Sequence, residues 1–264
     1  MMLVLVLGAL VGAVLGLTGA GGGILAVPAL VNGLGWTVRE AAPVALIAVA
    51  AGAAVGALEG FRRGLVRYRA ATLIALCAMP MTFVGGWLAL RVPANGLAGI
   101  FGGVMLIVAW RTWYNAAPHP DRPQATARCR VDPASGRLIW TPVTMVLVAQ
   151  VGVLTGLLTG LLGVGGGFVI VPALRRLTNL PVQSIVATSL LVIALTGISG
   201  VVSTLVHGAQ LPAAVLWPFL GALVLGMTLG RLLAGRLSGQ MIQRGFALMV
   251  LLIAGSMLWR ATGL

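Results

Sequence analysis

Long apolar segments, separated by short polar breaks, follow one another along most of this 264-residue chain. A helix needs about 20 apolar residues to cross a hydrocarbon core of ~30 Å. The pattern therefore predicts an all-α integral membrane protein. Long helices are predicted at 41–60, 69–90, 95–114, 183–205, 211–234 and 239–260, and further apolar segments at 3–18, 23–34, 140–162 and 167–177.

Composition supports this interpretation. Charged residues make up only 8% of the chain, whereas a soluble domain carries roughly a quarter. The net charge of +13 would suggest nucleic acid for a soluble protein, but arginines in the short loops of a membrane protein set its orientation. We therefore expect no nucleic-acid partner. The two cysteines, Cys77 and Cys129, imply neither a disulfide framework nor a metal site.

The two halves of the chain repeat each other at a constant offset of 144 residues. Gly19–Leu30 matches Gly163–Leu174 at eight of twelve positions. Other glycines keep the same offset: Gly8, Gly12, Gly16, Gly56, Gly64 and Gly86 correspond to Gly152, Gly156, Gly160, Gly200, Gly208 and Gly230. Chance does not maintain one offset over so many positions, so the chain contains two homologous repeats.

These repeats define the domain organisation. We predict a first membrane repeat at 1–114, a polar cytoplasmic linker at 115–139 and a second membrane repeat at 140–264. The linker contains four prolines and has the composition of an exposed connection. In each repeat, an apolar segment runs into a Gly-rich break and a short apolar segment, and three longer helices follow.

The orientation of the halves depends on the short segment after each break, which is too short for a comfortable crossing. If it re-enters after a full first crossing, the repeats are parallel. If it forms a hairpin with the preceding segment, three spans remain per half and the repeats are inverted. The inverted arrangement places 14 arginines on one side and three on the other, and the parallel one gives 10 and seven. Because cytoplasmic loops are rich in arginine, we predict inverted repeats with both termini outside.

The Gly-rich breaks suggest an anion site. A break before a helix leaves backbone N–H groups unpaired at the positive end of the helix dipole, and glycine lets a ligand approach the backbone. Inverted repeats bring two such tips together near the midplane, as many secondary transporters do. Two helix ends offset roughly one negative charge, so a dianion needs an added arginine or a co-bound cation.

The candidate substrate-binding residues lie at these breaks and on nearby segments: Thr18, Gly21, Gly22, Gly23, Thr159, Gly165, Gly166, Gly167, Thr188 and Ser189. The hydroxyls line a cavity in one interpretation and bond their own helix backbone in the other. Glycines spaced four apart are assigned to helix packing. Pro28 and Pro172 are expected to end or kink the short helices and to assist gating.

Ionisable groups in the apolar segments are scarce. Glu59 and His207 are the candidates for a proton relay, although both also fit helix ends that reach the interface. Arg231 either reaches inward to an anion or sets orientation. The sequence contains no close carboxylate pair, histidine cluster or nucleophile–base arrangement. We therefore expect no enzymatic activity, no metal site and no cofactor.

Two copies of Gly-x-Gly-Gly-Gly, three apolar residues and Val-Pro-Ala-Leu resemble the repeated element of the sulfite exporter TauE/SafE family of membrane permeases. The resemblance covers essentially the whole chain and implies export or uptake of small anions such as sulfite, sulfoacetate or other organosulfonates. The second half also resembles the family at Ala187–Leu190, whereas the first half has Pro43–Leu46 there. If those hydroxyls contact substrate, the site is asymmetric.

We therefore expect a secondary transporter of a small anion in a bacterial inner membrane, with alternating access at a midplane site between the repeats. A passive anion channel is the alternative within transport, and a membrane assembly or sensor subunit is the alternative outside it. The expected partners are the anion, the lipid bilayer and a coupling ion such as the proton. The sequence is also compatible with a homo-oligomer.

Overall fold

The computed structural model describes residues 1–19, 21–115, 139–206, 208, 211–234 and 238–262, and these are all-helical apart from short connections. A 3-10 turn at Gly22–Leu25 precedes the second helix. The α-helices of the described chain are α1 Met2–Thr18, α2 Ala26–Leu34, α3 Val38–Arg62, α4 Tyr68–Arg91, α5 Ala94–Asn115, α6 Pro142–Leu162, α7 Gly167–Leu177, α8 Val182–Val206, α9 Ala213–Ala234 and α10 Gly239–Ala261.

Helix ends follow local sequence signals. The Thr37 hydroxyl accepts the backbone N–H of Glu40, and the Glu40 carboxylate accepts the Thr37 N–H, which is a capping box at the start of α3. Thr141 caps α6 and is followed by Pro142 at the first helical position. The left-handed residue Gly163 ends α6.

Seven helices of the described chain are long and apolar enough to cross a membrane: α3, α4, α5, α6, α8, α9 and α10. The prediction of three long helices per half is confirmed, and α6 adds to them because its helix extends from Pro142 to Leu162. Large apolar side chains such as Trp110, Leu225 and Leu252 are exposed on the outside. A lipid-facing surface explains such exposure.

The short helices fold back on the helices before them. Gly22 packs against the backbone of Leu15 in α1, and Gly33 near the end of α2 packs against Leu7. This order of contacts makes α1 and α2 an antiparallel hairpin. In the second half, Gly166 before α7 packs against Thr155 of α6. Both hairpins have their tips at the Gly-rich breaks.

Helices of one half pair with helices of the other. Gly12 of α1 packs against Leu223, and Gly16 packs against Met227, so α1 and α9 run in the same direction. A side chain on either glycine would overlap the backbone carbonyl of its α9 neighbour. The predicted packing role of these spaced glycines is therefore confirmed.

The corresponding pair in the other half has the same geometry. Gly156 packs against Ala78, and Gly160 packs against Thr82, so α6 and α4 also run in the same direction. Here too a Cβ on either glycine would overlap the facing backbone carbonyl. Glycines spaced four apart therefore pack helices of the two halves together at two places, α1 with α9 and α6 with α4.

Two further pairs join helices that correspond by the repeat. Gly56 of α3 approaches Leu190, and Gly197 of α8 approaches Ala50, so α3 and α8 run in opposite directions. A Cβ on Gly99 of α5 would lie 3.5 Å from the Cβ of Ala261, at the far end of α10. The α5–α10 pair is therefore antiparallel as well.

These directions collect most described arginines at one end of the molecule, where α3, α5, α7 and α9 finish and α4, α6, α8 and α10 begin. We call it the arginine-rich end. Its described arginines are Arg62, Arg63, Arg67, Arg69, Arg111, Arg175, Arg176, Arg231 and Arg244, and those at the opposite end are Arg39, Arg91 and Arg260. Most of the predicted linker, the arginines within it and Arg236 lie outside the described residues.

Candidate functional site

The tips of the two hairpins meet at the middle of the molecule. A Cβ on Gly23 would lie 3.3 Å from the Val164 carbonyl oxygen and 3.0 Å from Val49 Cγ1. A Cβ on Gly165 would lie 3.6 Å from the same Val49 atom and 2.9 Å from Ile193 Cγ2. Val49 and Ile193 are near the midpoints of α3 and α8. Both Gly-rich breaks therefore lie at half the depth of the long central helices.

Thr18 organises the first tip. Its hydroxyl donates to the Val14 carbonyl at 2.8 Å and accepts the Gly22 N–H at 2.9 Å. It therefore satisfies a backbone donor that the break would otherwise leave without a helical partner. Thr18 and Gly21 also line the cavity described below. The two interpretations of this hydroxyl, backbone bonding and cavity lining, both apply.

The consecutive glycines are needed for close packing and for backbone conformation. A Cβ on Gly22 would overlap the backbone of Leu15, and one on Gly166 would overlap the Thr155 side chain. Gly165 and Gly166 have φ values of 71° and 67°, a region that favours glycine. Gly22, Gly23, Gly165, Gly166 and Gly167 are buried. The structure thus gives these glycines a packing role that spacing alone did not suggest, and their contact with substrate stays a prediction.

Two hydroxyls on α6 face the second tip. Thr155 and Thr159 are fully buried, and neither hydroxyl oxygen has a hydrogen-bond partner among the described residues. A Cβ on Gly166 would lie 3.0 Å from the Thr159 hydroxyl oxygen. Unpaired buried hydroxyls are costly. They mark a place where a polar ligand or a water molecule fits.

Thr188 and Ser189 have other partners. The Thr188 hydroxyl donates to the Ser184 carbonyl at 2.6 Å and accepts the Arg67 N–H at 3.0 Å. It thereby attaches α8 to the start of α4. The Ser189 hydroxyl donates to the Val186 carbonyl at 2.9 Å. Both residues are buried, and their contact with substrate stays a prediction.

The two prolines do not end their helices. Pro28 lies in the first turn of α2, where a missing N–H is tolerated, and α2 continues to Leu34. Pro172 lies inside α7, which continues to Leu177, and it lines the cavity. The prolines were predicted to end or kink the short helices; they do not end them, and a kink or a gating role stays a prediction.

An open cavity of about 1680 Å³ extends from the arginine-rich end to the first hairpin tip. Its inner part is formed by Gly16–Gly19, Gly21 and the rings of Phe168 and Phe246. The charged groups on its wall are Glu59, Arg63, Arg111, Arg175, Arg176 and Arg231. With five cations and one anion, the cavity favours negatively charged solutes.

Glu59 does not stand alone at its helix end. Its carboxylate binds Arg231 of α9 and lies 2.6 Å from Arg63 Nη2, one turn further along α3. His207, the other candidate for a proton relay, lies outside the described residues. Among the part of the chain that the structure describes, no group of three potential metal ligands forms.

Several residues that line the cavity were not identified from the sequence. Phe168 and Phe246 look like ordinary core residues in an apolar segment, and Gln183 and Gln243 look like helix-end residues. All four line the cavity. Their helices meet only in the folded chain, so no local pattern identifies them.

Paired apolar helices, hairpin tips at half the depth of the long helices and a charged cavity define a multi-pass membrane protein of the transporter class. The chain belongs to the sulfite exporter TauE/SafE family, whose model matches residues 4–257. The predicted resemblance is confirmed. A probable membrane transporter protein of Xylella fastidiosa (strain 9a5c) is 31% identical over 261 residues, which cover 96% of this chain and 93% of that protein.

More distant relatives carry similar names. The probable membrane transporter protein YunE of Bacillus subtilis (strain 168) is 27% identical over 90% of this chain and 89% of its own length. The probable membrane transporter protein MJ0441 of Methanocaldococcus jannaschii is 27% identical over 79% of this chain and 73% of its own length. No solved structure gives a significant match.

Proposed function

We propose that this transporter moves a small sulfur oxyanion or organosulfonate, such as sulfite or sulfoacetate, as a secondary transporter. The observation that carries the proposal is the cavity, because an arginine-lined opening leads directly to the hairpin tip at Thr18 and Gly21. The family description supports sulfite as the first substrate to test.

The chemistry of the cavity selects anions in two steps. The arginines at the opening raise the local concentration of anions by long-range attraction. At the tip, Gly21 lines the cavity at the start of the 3-10 turn, and the positive end of this helical segment favours an anion there. The apolar rings of Phe168 and Phe246 beside the tip exclude water from one side of a bound anion.

Alternating access fits the arrangement of the helices. The helices that correspond by the repeat, α3 with α8 and α5 with α10, pack antiparallel. These contacts support the inverted orientation, which stays a prediction with respect to the membrane. In the state described here the cavity opens at the arginine-rich end. In the opposite state, an equivalent rearrangement of the second repeat opens the other end. Proton coupling and self-association also stay predictions.

Uptake into proteoliposomes tests the proposal. The purified protein is reconstituted and presented with sulfite, sulfoacetate, taurine, sulfate and chloride, with and without a pH gradient. We expect saturable uptake of sulfite or sulfoacetate, and acceleration when the vesicles are preloaded with the same anion. Empty liposomes are the control.

Two outcomes contradict the proposal. Uptake that rises linearly with concentration and shows no counterflow indicates a passive channel. Absence of flux for every anion, with protein that remains monodisperse, indicates a membrane protein with a non-transporting role.

A further inference from the structure

An ion pair inside the cavity joins two helices of different repeats. Arg231 of α9 donates to Oε2 of Glu59 on α3, while Oε1 of Glu59 binds Arg63. The Arg231 side chain is 24% exposed, that of Glu59 42% and that of Arg63 69%. Arg231 is therefore the least exposed of the three side chains. Its electrostatic interactions are stronger than those of a fully hydrated charge, because less water screens them.

Arg231 lies beside the first hairpin tip. A Cβ on Gly16 would lie 2.9 Å from the backbone nitrogen of Arg231, and Thr18 is only two residues further along α1. A Cβ on Gly56 would lie 3.4 Å from Arg231 Nη2. The guanidinium therefore lies between α3 and α9, at the level where α1 ends and the cavity reaches its inner wall.

The internal repeat shows that helix packing does not require this pair. At the offset of 144 residues, Glu59 corresponds to Ser203 and Arg231 corresponds to Trp87. The α4–α8 contact forms there without either charge, since a Cβ on Gly86 would lie 2.8 Å from the Ser203 hydroxyl oxygen. The charge pair lies between α3 and α9, at the end of the molecule where the cavity opens. A purely structural role leaves this asymmetry unexplained.

We infer that Arg231 is an anion-binding residue of the transport site and that Glu59 is its internal counterion, which the incoming oxyanion displaces. A guanidinium offers two parallel N–H donors to adjacent oxygens, which suits a sulfite or sulfonate group. When the anion binds Arg231, Glu59 remains paired with Arg63. The other cations facing this place from neighbouring helices are Arg111, Arg175 and Arg176.

This inference rests on the proposed function and extends it to substrate charge. The two hairpin tips together offset roughly one negative charge. Arg231, released from Glu59, supplies another positive charge. The site then accommodates a dianion, such as sulfite or a sulfoacetate with both its sulfonate and its carboxylate ionised, as well as a monoanion such as hydrogensulfite.

Calorimetric titration of the purified protein in nanodiscs with sulfite tests the inference. Glu59→Gln leaves Arg231 without a competitor, so we expect sulfite to bind at least about three-fold more tightly than to the wild-type protein. Arg231→Gln removes two charge-assisted hydrogen bonds, so we expect binding at least about ten-fold weaker, with Arg231→Lys between the two. Arg62→Gln is the matched control, because it removes one positive charge from the arginine-rich end at an exposed residue outside the cavity wall and leaves Glu59, Arg63 and Arg231 in place. We expect its affinity within about two-fold of wild type.

The outcomes separate the two proposals. If wild-type protein binds sulfite but Glu59→Gln binds no more tightly, the counterion role is wrong and the proposed function stands. If Arg231→Lys binds sulfite as wild type does, Arg231 is not a bidentate ligand and the inference fails. If wild-type protein binds none of sulfite, sulfoacetate and sulfate, both proposals fail. Melting temperatures identify any variant that does not fold, and Glu59→Gln and Arg231→Lys then carry the test.

Discussion

At the residue scale, glycine decides how closely the helices approach. Gly12 and Gly156 occupy corresponding positions in the repeats, and each touches the backbone of a helix from the other half. Their spacing along the helix predicts this packing, because residues four apart share one face. The packing of Gly22 and Gly166 could not be predicted in the same way. The sequence of a Gly-rich break is the same whether its backbone approaches a ligand or a neighbouring helix.

Gly12→Ala is expected to destabilise the protein. The added Cβ overlaps the Leu223 carbonyl, so α1 and α9 must separate, and overpacking of this kind costs about 1–3 kcal/mol. Gly221→Ala on α9 is the matched control, because a Cβ there meets nothing within 4 Å. We expect it to leave stability unchanged or to raise it, since alanine favours helix. Melting temperatures in one detergent provide the comparison, and a Gly12→Ala protein as stable as the control contradicts close packing at α1–α9.

The pair of Glu59 and Arg231 shows the limit of sequence reasoning at this scale. The two residues are 172 positions apart, so no periodicity connects them. The sequence places each at a helix end and leaves the role of Arg231 undecided. Only the packing of α3 beside α9 brings the charges together.

At the element scale, helix existence was predictable and helix starts were less so. The start of α3 lies at Val38, three residues before the predicted 41, because Arg39 and Glu40 interrupt the apolar pattern while the Thr37–Glu40 capping box stabilises the first turn. The pairing of helices was not predictable, because hydrophobic periodicity identifies the apolar face of a helix but not the helix that packs against it.

A disulfide between α5 and α10 tests that pairing. A Cβ at position 99 would lie 3.5 Å from the Ala261 Cβ, within the range of disulfides. We expect Gly99→Cys with Ala261→Cys to crosslink under mild oxidation, in a background lacking Cys77 and Cys129. A protease site placed between 116 and 138 lets a non-reducing gel show whether the halves stay joined. Gly103→Cys with Ala261→Cys is the control, because a Cβ at Gly103 meets nothing within 4 Å. Equal crosslinking of both pairs contradicts the described register.

At the scale of the whole molecule, the hairpin tips of two repeats meet at half depth below an arginine-rich opening. The repeat itself was evident from the constant offset of 144 residues. The cavity was not, because its wall draws on nearly every helix at one end of the protein. Charge counting predicted only that most arginines gather on one side of the protein, since the inverted arrangement collects them there.

Accessibility of a cysteine at Gly21 tests this account most directly. In membrane vesicles of known orientation, and in a background without Cys77 and Cys129, we expect a membrane-impermeant maleimide to label Gly21→Cys from the cytoplasmic side alone. Sulfoacetate, which does not consume the maleimide as sulfite does, is expected to slow the labelling. Gly23→Cys is the matched control and should remain unlabelled, because Gly23 is buried against Val49. Labelling of Gly21→Cys from the opposite side alone, or labelling unaffected by sulfoacetate and sulfate, would contradict an anion site at the hairpin tip.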